Sequence, residues 1–381
     1  MDMKRFLKIC FILVVFSPLI YAVFIREKAP EPVPEPEVFD ETRIGEMVLL
    51  GFRGTEVNED SEIIRKINNL NLGGVILFDY DVPSSSLGRN ITDPGQLKAL
   101  TENLKKYANH PIFIATDAEG GVVNRLKEKY GFLDIPSAED VAKGSLEDAE
   151  KTYLSLADEL SSFGINVNFA PVVDVNVNPE NPVIGNIGRS FSENPETVSK
   201  FAEIFINAHE EAGVITAIKH FPGHGSSKGD THLGMVDITE TYEEKELIPF
   251  KEIIQKGIVR MVMTAHVMNK WIDSSFPATL SPEFIKGILR GELGYQGVVV
   301  SDDMHMGAIM EEFGFEDAIV RAINAGVDMV IVSNNVGFYD ENAGKKAVEA
   351  IRNAVEEGRI SKERIEEAVG RIRALKSGFL R

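Results

Sequence analysis

The most informative segment of this chain is a short polar stretch that begins at Lys219 and His220. One lysine, three histidines and one aspartate follow each other closely: Lys219, His220, His224, Asp230 and His232. Histidine is the side chain whose unperturbed pKa lies nearest neutrality, so this group suits proton transfer. Asp230 is close enough to His232 for its carboxylate to orient the imidazole and support its charged form. The alternatives are a metal site and a polar loop that merely faces solvent. The close spacing of these five residues favours a catalytic loop.

The surrounding residues predict where this loop lies. The β-branched run Val214–Ile218 predicts a buried strand that places Lys219 and His220 at its end. Catalytic side chains gather at such strand ends in α/β barrels. Three glycines and three polar residues come next: Gly223, Gly225, Ser226, Ser227, Lys228 and Gly229. Glycine frees the backbone and polar side chains favour solvent, so we expect a mobile, hydrated loop.

A second candidate site follows another apolar run, Gly297–Val300, which leads through a serine into Asp302 and Asp303. A carboxylate at a strand end is well placed to act as a nucleophile. Serine and aspartate also begin helices, and Gly307 opens a predicted helix a few residues later. Capping explains one of the two acids more easily than both.

These motifs carry a resemblance to a known family. Lys219–Gly225 has the sequence Lys-His-Phe-Pro-Gly-His-Gly, and four residues later comes Asp-Thr-His. The chain resembles the bacterial β-N-acetylglucosaminidase branch of glycoside hydrolase family 3, in which serine is usual at the position of Thr231. Other segments agree along residues 40–381: Thr116–Gly121 with Arg125, Gly188–Phe191, Met263–Val267, Pro277–Ser281 and Ala325–Met329.

The resemblance implies a role for each site residue. Asp302 is expected to be the nucleophile, His232 the general acid/base and Asp230 its partner. Five further side chains are expected to bind the sugar: Asp117, Arg125, Arg189, Lys219 and His220. Charged groups suit that role because hydrogen bonds with an ionised partner are about twice as strong as neutral ones.

The chain departs from the family pattern at two places. Val122 stands where many relatives have arginine, and Met304-His305-Met306 replaces the common Leu-Ser-Met. Both departures concern substrate preference more than chemistry. Six other polar residues near strand ends are expected to play structural parts instead: Glu119, Asp174, His224, His266, Asp303 and Asp328.

The architecture follows from eight apolar runs: Val48–Phe52, Gly74–Phe78, Ile112–Thr116, Val167–Val173, Val214–Ile218, Met261–Ala265, Val298–Ser301 and Met329–Ser333. Helical patterns lie between or after them: Ser61–Leu70, Asp93–Tyr107, Val198–Ala212, Glu341–Glu357 and a closing helix Ile360–Leu380. Strands that alternate with helices in this number predict an α/β fold, a (β/α)8 TIM barrel with one catalytic domain over residues 40–381.

The N-terminus has a different composition. Residues 1–28 hold basic side chains and then an apolar run, which predicts a signal peptide or membrane anchor, and residues 29–39 form a Pro/Glu-rich linker. The positive residues ahead of the run predict an extracytoplasmic barrel, either anchored to the membrane by this segment alone or secreted after cleavage. Cys10, the single cysteine, lies in this segment, so the barrel is expected to form no disulfide.

Charge limits the partners. The chain has 40 Lys and Arg residues against 59 Asp and Glu residues, a formal charge of −19. This balance opposes binding to nucleic acid. An oligosaccharide that contains N-acetylglucosamine, from cell wall or chitin, is the expected partner, with no metal or cofactor. We expect retaining hydrolysis, with phosphorolysis and an inactive sugar-binding protein as alternatives, and oligomeric state stays open.

Overall fold

Eight parallel strands close into a barrel in the computed structural model, which describes residues 39–380. The strands are β1 Val48–Gly51, β2 Gly74–Ile76, β3 Phe113–Thr116, β4 Val167–Asn168, β5 Ile215–Phe221, β6 Met261–Thr264, β7 Val298–Asp303 and β8 Met329–Val332. Each strand pairs with its neighbour in the chain, and β1 pairs with β8 to close the barrel. The predicted TIM-barrel fold is therefore confirmed.

Helices follow the strands and surround the barrel. They are Glu62–Leu70, Pro94–Tyr107, Ala138–Ala142, Leu146–Ser162, Pro195–Glu211, Ile248–Gln255, the π-helix Glu283–Glu292, Gly307–Phe313, Phe315–Ala325, Ala343–Glu356 and Lys362–Phe379. The local sequence explains where two of these helices begin. The side chains of Asp93 and Asn194 accept hydrogen bonds from backbone N–H groups three residues later, and a proline follows each.

Shorter elements lie in the loops. Short 3-10 helices cover Glu41–Met47, Glu128–Tyr130, Gly185–Ile187, Glu244–Leu247 and Ala278–Leu280. Three pairs of two- or three-residue strands also form: Tyr80–Asp81 with Ser86–Leu87, Ala118–Gly120 with Val123–Asn124, and Val236–Asp237 with Val267–Met268. The last pair joins the loops after β5 and β6.

The core lies inside the barrel and between barrel and helices. Every residue of β1, β6 and β8 is buried. Burial on both faces explains why these strands are continuous apolar runs without polar alternation. In the outer layer, Tyr153 and Phe205 from neighbouring helices bring their ring centroids within 4.6 Å. The barrel therefore gives the residues at its strand ends a fixed base.

Several predicted strand limits differ from the structure, and the fourth and fifth strands differ most. The fourth strand was expected to reach Val173 but ends at Asn168, and only Val172 bridges β5 further along. Pro171 lies in this stretch and has no backbone N–H to donate. The fifth strand continues to Phe221, so Lys219 and His220 lie within it and not just after it.

The predictions for the N-terminus are not tested by the structure. The expected signal or anchor, residues 1–28, lies outside the described residues, as does the linker except for its last position. Between residues 39 and 380, no helix combines the length and apolar character needed to cross a membrane.

Candidate active site

A cavity of about 520 Å³ opens where the carboxyl ends of the barrel strands meet. The structure brings seven of the eight predicted site residues to its wall: Asp117, Arg125, Arg189, Lys219, His220, His232 and Asp302. The eighth, Asp230, stands behind His232 and bonds to its ring. Residues far apart in the chain thus share one space because they follow different strands of the same barrel.

Four side chains on one side of the cavity form a charged network. The Nζ atom of Lys219 lies 2.9 Å from Asp117 Oδ1 and 2.6 Å from Glu119 Oε1. Arg189 binds both oxygens of Glu119, at 2.7 and 2.8 Å. Burial raises the pKa of Glu119, but Arg189 and Lys219 outweigh that effect and hold it below its usual range. Glu119 therefore stays ionised, and the network offers fixed donors and acceptors to sugar hydroxyls.

Asp174 fixes the orientation of His220. Its Oδ2 lies 2.7 Å from His220 Nδ1, and its Oδ1 accepts the backbone N–H groups of His220 and His224. Burial opposes ionisation of Asp174, but the imidazole of His220 outweighs it, so the pKa of Asp174 is lowered. An ionised Asp174 makes Nδ1 the donor and leaves Nε2, 3.3 Å from Arg189 Nη2, towards the cavity.

Glu119 and Asp174 belong to the site although the predicted binding residues do not include them. Each contacts a predicted sugar-binding residue directly, through the charged network or through His220. Their position directly after apolar runs was a usable signal, but it did not tell a residue that holds others from one that caps or fills space. Only the contacts with residues from other parts of the barrel distinguish these two roles.

The two acids at the end of β7 have different surroundings. Asp303 accepts hydrogen bonds from the backbone N–H groups of Ser333 and His305 and from the Ser333 hydroxyl. Both of its oxygens are therefore occupied in joining β7 to β8. Asp302 is partly exposed and lines the cavity, with one oxygen 2.8 Å from the backbone N of Asp303. Asp303 also lines the cavity, but both of its oxygens accept hydrogen bonds from the protein, so Asp302 is the better candidate to meet a bound sugar.

Neighbouring side chains lower the pKa of Asp302. Burial raises its pKa, but the imidazoles of His266 and His220 outweigh that effect, and the pKa lies below its usual value. His266 itself is buried, with its ring nitrogens 2.9 Å from the Thr279 hydroxyl and 3.0 Å from the Asp303 carbonyl. Burial lowers the pKa of His266. Asp302 is therefore ionised at neutral pH, as a carboxylate nucleophile must be.

His232 and Asp230 form an exposed pair at the mouth of the cavity. Asp230 Oδ1 lies 2.7 Å from His232 Nδ1 and also accepts the backbone N–H of His232. The His232 side chain is 56 % exposed and that of Asp230 26 %. The backbone N of Gly307 bonds the His232 carbonyl at 3.3 Å, where a Cβ on Gly307 would come within 2.8 Å. The loop is thereby tied to the segment that follows Asp302.

The expectation that Ser226 and Ser227 keep the loop hydrated was wrong. Both are buried, because Ser227 bonds His224 Nδ1 at 2.8 Å and the backbone N of Ser226 bonds the carboxylate of Glu246. Gly225 passes so close to the Val175 carbonyl that a Cβ would lie 1.7 Å from it. Only the second half of the loop, from Lys228, reaches solvent.

His224 and Asp328 have contacts that fit structural parts. Burial lowers the pKa of His224 to about 4, so its ring is neutral beside Ser227. Asp328 precedes β8, at the end of the barrel opposite the cavity. It bonds three arginines, Arg290, Arg364 and Arg371, at 2.7 to 3.1 Å. His224 lines the cavity, but its ring nitrogens contact the hydroxyls of Ser227 and Thr231.

Glu246 lies beneath the loop and predicts a pH-dependent stability. Burial raises its pKa to about 7, against an ordinary value of 4.5. Between these values the unfolded chain has released the proton that the folded chain still holds, so stability falls as pH rises. We expect Glu246→Gln to become more stable relative to the native protein by roughly 2–3 kcal/mol between pH 5 and 8.

Urea unfolding at the two pH values measures this difference. Glutamine loses one of the two backbone hydrogen bonds that Glu246 accepts, from Ser226 and Glu243, so a constant loss of about 1 kcal/mol is expected at both. The change with pH is independent of that loss. An offset between variant and native protein that is the same at both pH values would contradict a raised pKa.

No group of three or more His, Cys, Asp or Glu side chains within the described range is arranged to hold a metal ion. The site presents a carboxylate, an imidazole with its carboxylate partner and a set of fixed hydrogen-bonding charges.

Comparison with known proteins identifies the family. The glycosyl hydrolase family 3 N-terminal domain matches residues 40–375. A β-hexosaminidase of Tolumonas auensis is 37 % identical over 295 residues, which cover 76 % of this chain and 83 % of that protein. β-Hexosaminidase A of Pseudoalteromonas piscicida is 36 % identical over 341 residues, 83 % of this chain and 55 % of that protein.

A solved structure is similar to this chain in both fold and sequence. The glycoside hydrolase family 3 β-N-acetylglucosaminidase of Paenibacillus sp. strain FPU-7 superimposes with a TM-score of 0.80 at 37 % identity, over 89 % of this chain and 62 % of that one. The chain thus spans little more than half the length of the Pseudoalteromonas and Paenibacillus proteins. The match over nearly the whole barrel and the identity to these relatives show that the chain belongs to glycosyl hydrolase family 3.

Proposed function

We propose that the protein is a retaining β-N-acetylglucosaminidase that removes terminal β-linked N-acetylglucosamine from oligosaccharides. The observation that carries this proposal is that Asp302 and His232 line one cavity together with the charged network of Lys219, Arg189 and their carboxylates. A protein that only binds a sugar would need the charged network and no nucleophile. A nucleophile and a proton donor beside it support catalysis.

The reaction takes two displacements. Asp302 attacks the anomeric carbon and forms a covalent glycosyl ester while His232 gives its proton to the departing oxygen. His232 then takes a proton from water, which attacks the ester and releases the sugar with its configuration retained. Asp230 holds the imidazole in place and stabilises its protonated form, in the manner of base-and-orienter pairs.

The walls near Asp302 support the preference for an acetamido sugar. The 2-acetamido group is attached to the carbon beside the anomeric carbon, so its methyl group must lie close to Asp302. Met263 on β6 and Met306 after β7 line the same cavity as Asp302. Their apolar surface suits a methyl group, whereas a glucoside would place only a hydroxyl there.

Hydrolysis of chromogenic glycosides tests the proposal. We expect N-acetylglucosaminide to be cleaved with a far higher kcat/KM than the matching glucoside or xyloside, because only the acetamide fills the apolar part of the cavity. All three substrates share one leaving group, so the comparison isolates the sugar. Faster cleavage of the glucoside would refute the assignment.

The same assay with added phosphate distinguishes hydrolysis from phosphorolysis. Free N-acetylglucosamine is the expected product with and without inorganic phosphate. A sugar 1-phosphate that accumulates only with phosphate would make the protein a phosphorylase acting through the same glycosyl ester.

A further inference from the structure

Two backbone hydrogen bonds join the loop that carries His232 to the short helix that follows β7. The N–H of Gly307 donates to the carbonyl of His232 at 3.3 Å, and the N–H of Ala308 donates to the carbonyl of Thr231 at 3.2 Å. Both donors lie in the first turn of the helix Gly307–Phe313, where backbone N–H groups have no partner within the helix. The loop carbonyls therefore take up donors that the helix leaves free.

Gly307 lies so close to this loop that a side chain does not fit. A Cβ on Gly307 would lie 2.8 Å from the carbonyl oxygen of His232. It would also lie 3.2 Å from the backbone N of Gly234 and 3.3 Å from the carbonyl carbon of Leu233, whereas ordinary contacts are 3.4–4 Å. The backbone of Gly307 is not in the left-handed region, so conformational freedom does not explain the glycine. The close approach of the loop does.

The loop can give way more easily than the helix. The side chain of His232 is exposed, and Gly234 has a φ of +153° with open space where its Cβ would be. Met306 and Ala308, on either side of Gly307, are both buried. A methyl group at position 307 would therefore push the His232 carbonyl from 2.8 Å to 3.4 Å or more and leave the helix in place.

Such a shift affects proton transfer before it affects sugar binding. A general acid must come within about 2.6–3.2 Å of the oxygen that it protonates, and a misplacement of about 1 Å can cost about 10²-fold in rate. Asp302 and Lys219 are held by bonds outside this loop, to the backbone of Asp303 and to the carboxylates of Asp117 and Glu119. A displaced loop leaves these contacts intact.

We propose that Gly307 is a positioning residue for the acid/base: the absence of a side chain at this position lets the loop approach, and thereby sets the distance between His232 and the glycosidic oxygen. The proposal rests on the glycosidase function proposed above. Gly307 acts through the carbonyl of His232 and serves both displacements, because His232 gives a proton in the first and takes one in the second.

Gly307→Ala tests this inference with two substrates. Cleavage of the β-1,4 disaccharide of N-acetylglucosamine, whose leaving sugar must be protonated, should fall by about 10- to 10²-fold, mainly in kcat. Formation of the glycosyl–enzyme from an activated aryl N-acetylglucosaminide should stay within about twofold of the native rate, because that leaving group departs unprotonated. Single-turnover kinetics measure both steps.

Azide distinguishes a displaced imidazole from a general loss of structure. The azide anion attacks the anomeric carbon of the glycosyl ester, breaks its bond to the Asp302 oxygen and yields a glycosyl azide without any proton transfer. Water needs His232 to take its proton, so hydrolysis of the ester should be slow in Gly307→Ala. We expect azide to raise turnover of the aryl glycoside severalfold in this variant and to change it little in the native protein.

Gly370→Ala is the matched control. It makes the same change in the helix Lys362–Phe379, at a position where a Cβ would have no atom within 4 Å. Its kinetics with both substrates should equal those of the native protein. Circular dichroism melting curves of both variants check that the barrel folds.

The outcomes separate the two proposals. If the native protein did not cleave the aryl N-acetylglucosaminide, the proposed function would be lost and this inference with it. Native-like cleavage of the disaccharide by Gly307→Ala, or an equal loss with both substrates that azide does not relieve, would overturn the positioning role alone. A Gly307→Ala protein that does not fold would overturn it as well, because the loop would then not be the part that gives way.

Discussion

Asp302→Asn should reduce hydrolysis of N-acetylglucosaminides by several orders of magnitude, with each tenfold loss equal to about 1.4 kcal/mol of barrier. Asparagine has nearly the same size and can keep the hydrogen bond from the backbone N of Asp303. It cannot form the glycosyl ester, so the first displacement is lost while the fold remains. Steady-state kinetics measure the loss, and an unchanged circular dichroism melting curve checks the fold.

A slow-turnover fluorosugar identifies the nucleophile directly. In the native protein the label should attach to Asp302, and peptide mass spectrometry locates it. Asp303 is the natural comparison because it is the adjacent acid on the same strand, but its oxygens are bound to Ser333 and the backbone of His305. A label on Asp303 would mean that those bonds break when substrate binds and that the assignment is wrong.

The barrel was predictable because its signal is local. A strand buried on both faces must be apolar along its whole length, and each of the eight runs could be recognised without knowing its neighbours. The site residues were predictable for a related reason, since strand ends gather at one face of a barrel. Lys219 and Asp302 both line one cavity because they lie near the carboxyl ends of β5 and β7, whatever the length of chain between them.

Contacts between distant segments were not predictable in this way. Ser226 and Ser227 are polar residues among glycines, and nothing near them in sequence announces that Glu246 and Asn181 bury them. Glu119 is a carboxylate after a strand whether or not Arg189 reaches it from 70 residues away. The rings of His305 and Phe338 lie 5.5 Å apart between centroids, a contact that only the packed loops determine.

His232→Ala should separate proton transfer from binding. General acid/base catalysis contributes about 10²–10⁴-fold, and a leaving group acidic enough to depart unprotonated needs little of it. We therefore expect cleavage of natural oligosaccharide linkages to fall by about that factor, while formation of the glycosyl–enzyme from an activated aryl glycoside is nearly retained. Single-turnover kinetics with both substrate types measure the difference.

Asp230→Ala changes the same loop and should have a smaller effect than His232→Ala. It leaves the imidazole in place but removes the carboxylate 2.7 Å from Nδ1, so the same pattern is expected in a milder form. Because His232 is 56 % exposed and packs little, its loss should not disturb the barrel. If His232→Ala slowed both substrate types equally and raised only KM, His232 would bind the sugar, and the proton would have to come from another group. His224 would then be the next candidate, although it is buried and burial lowers its pKa to about 4.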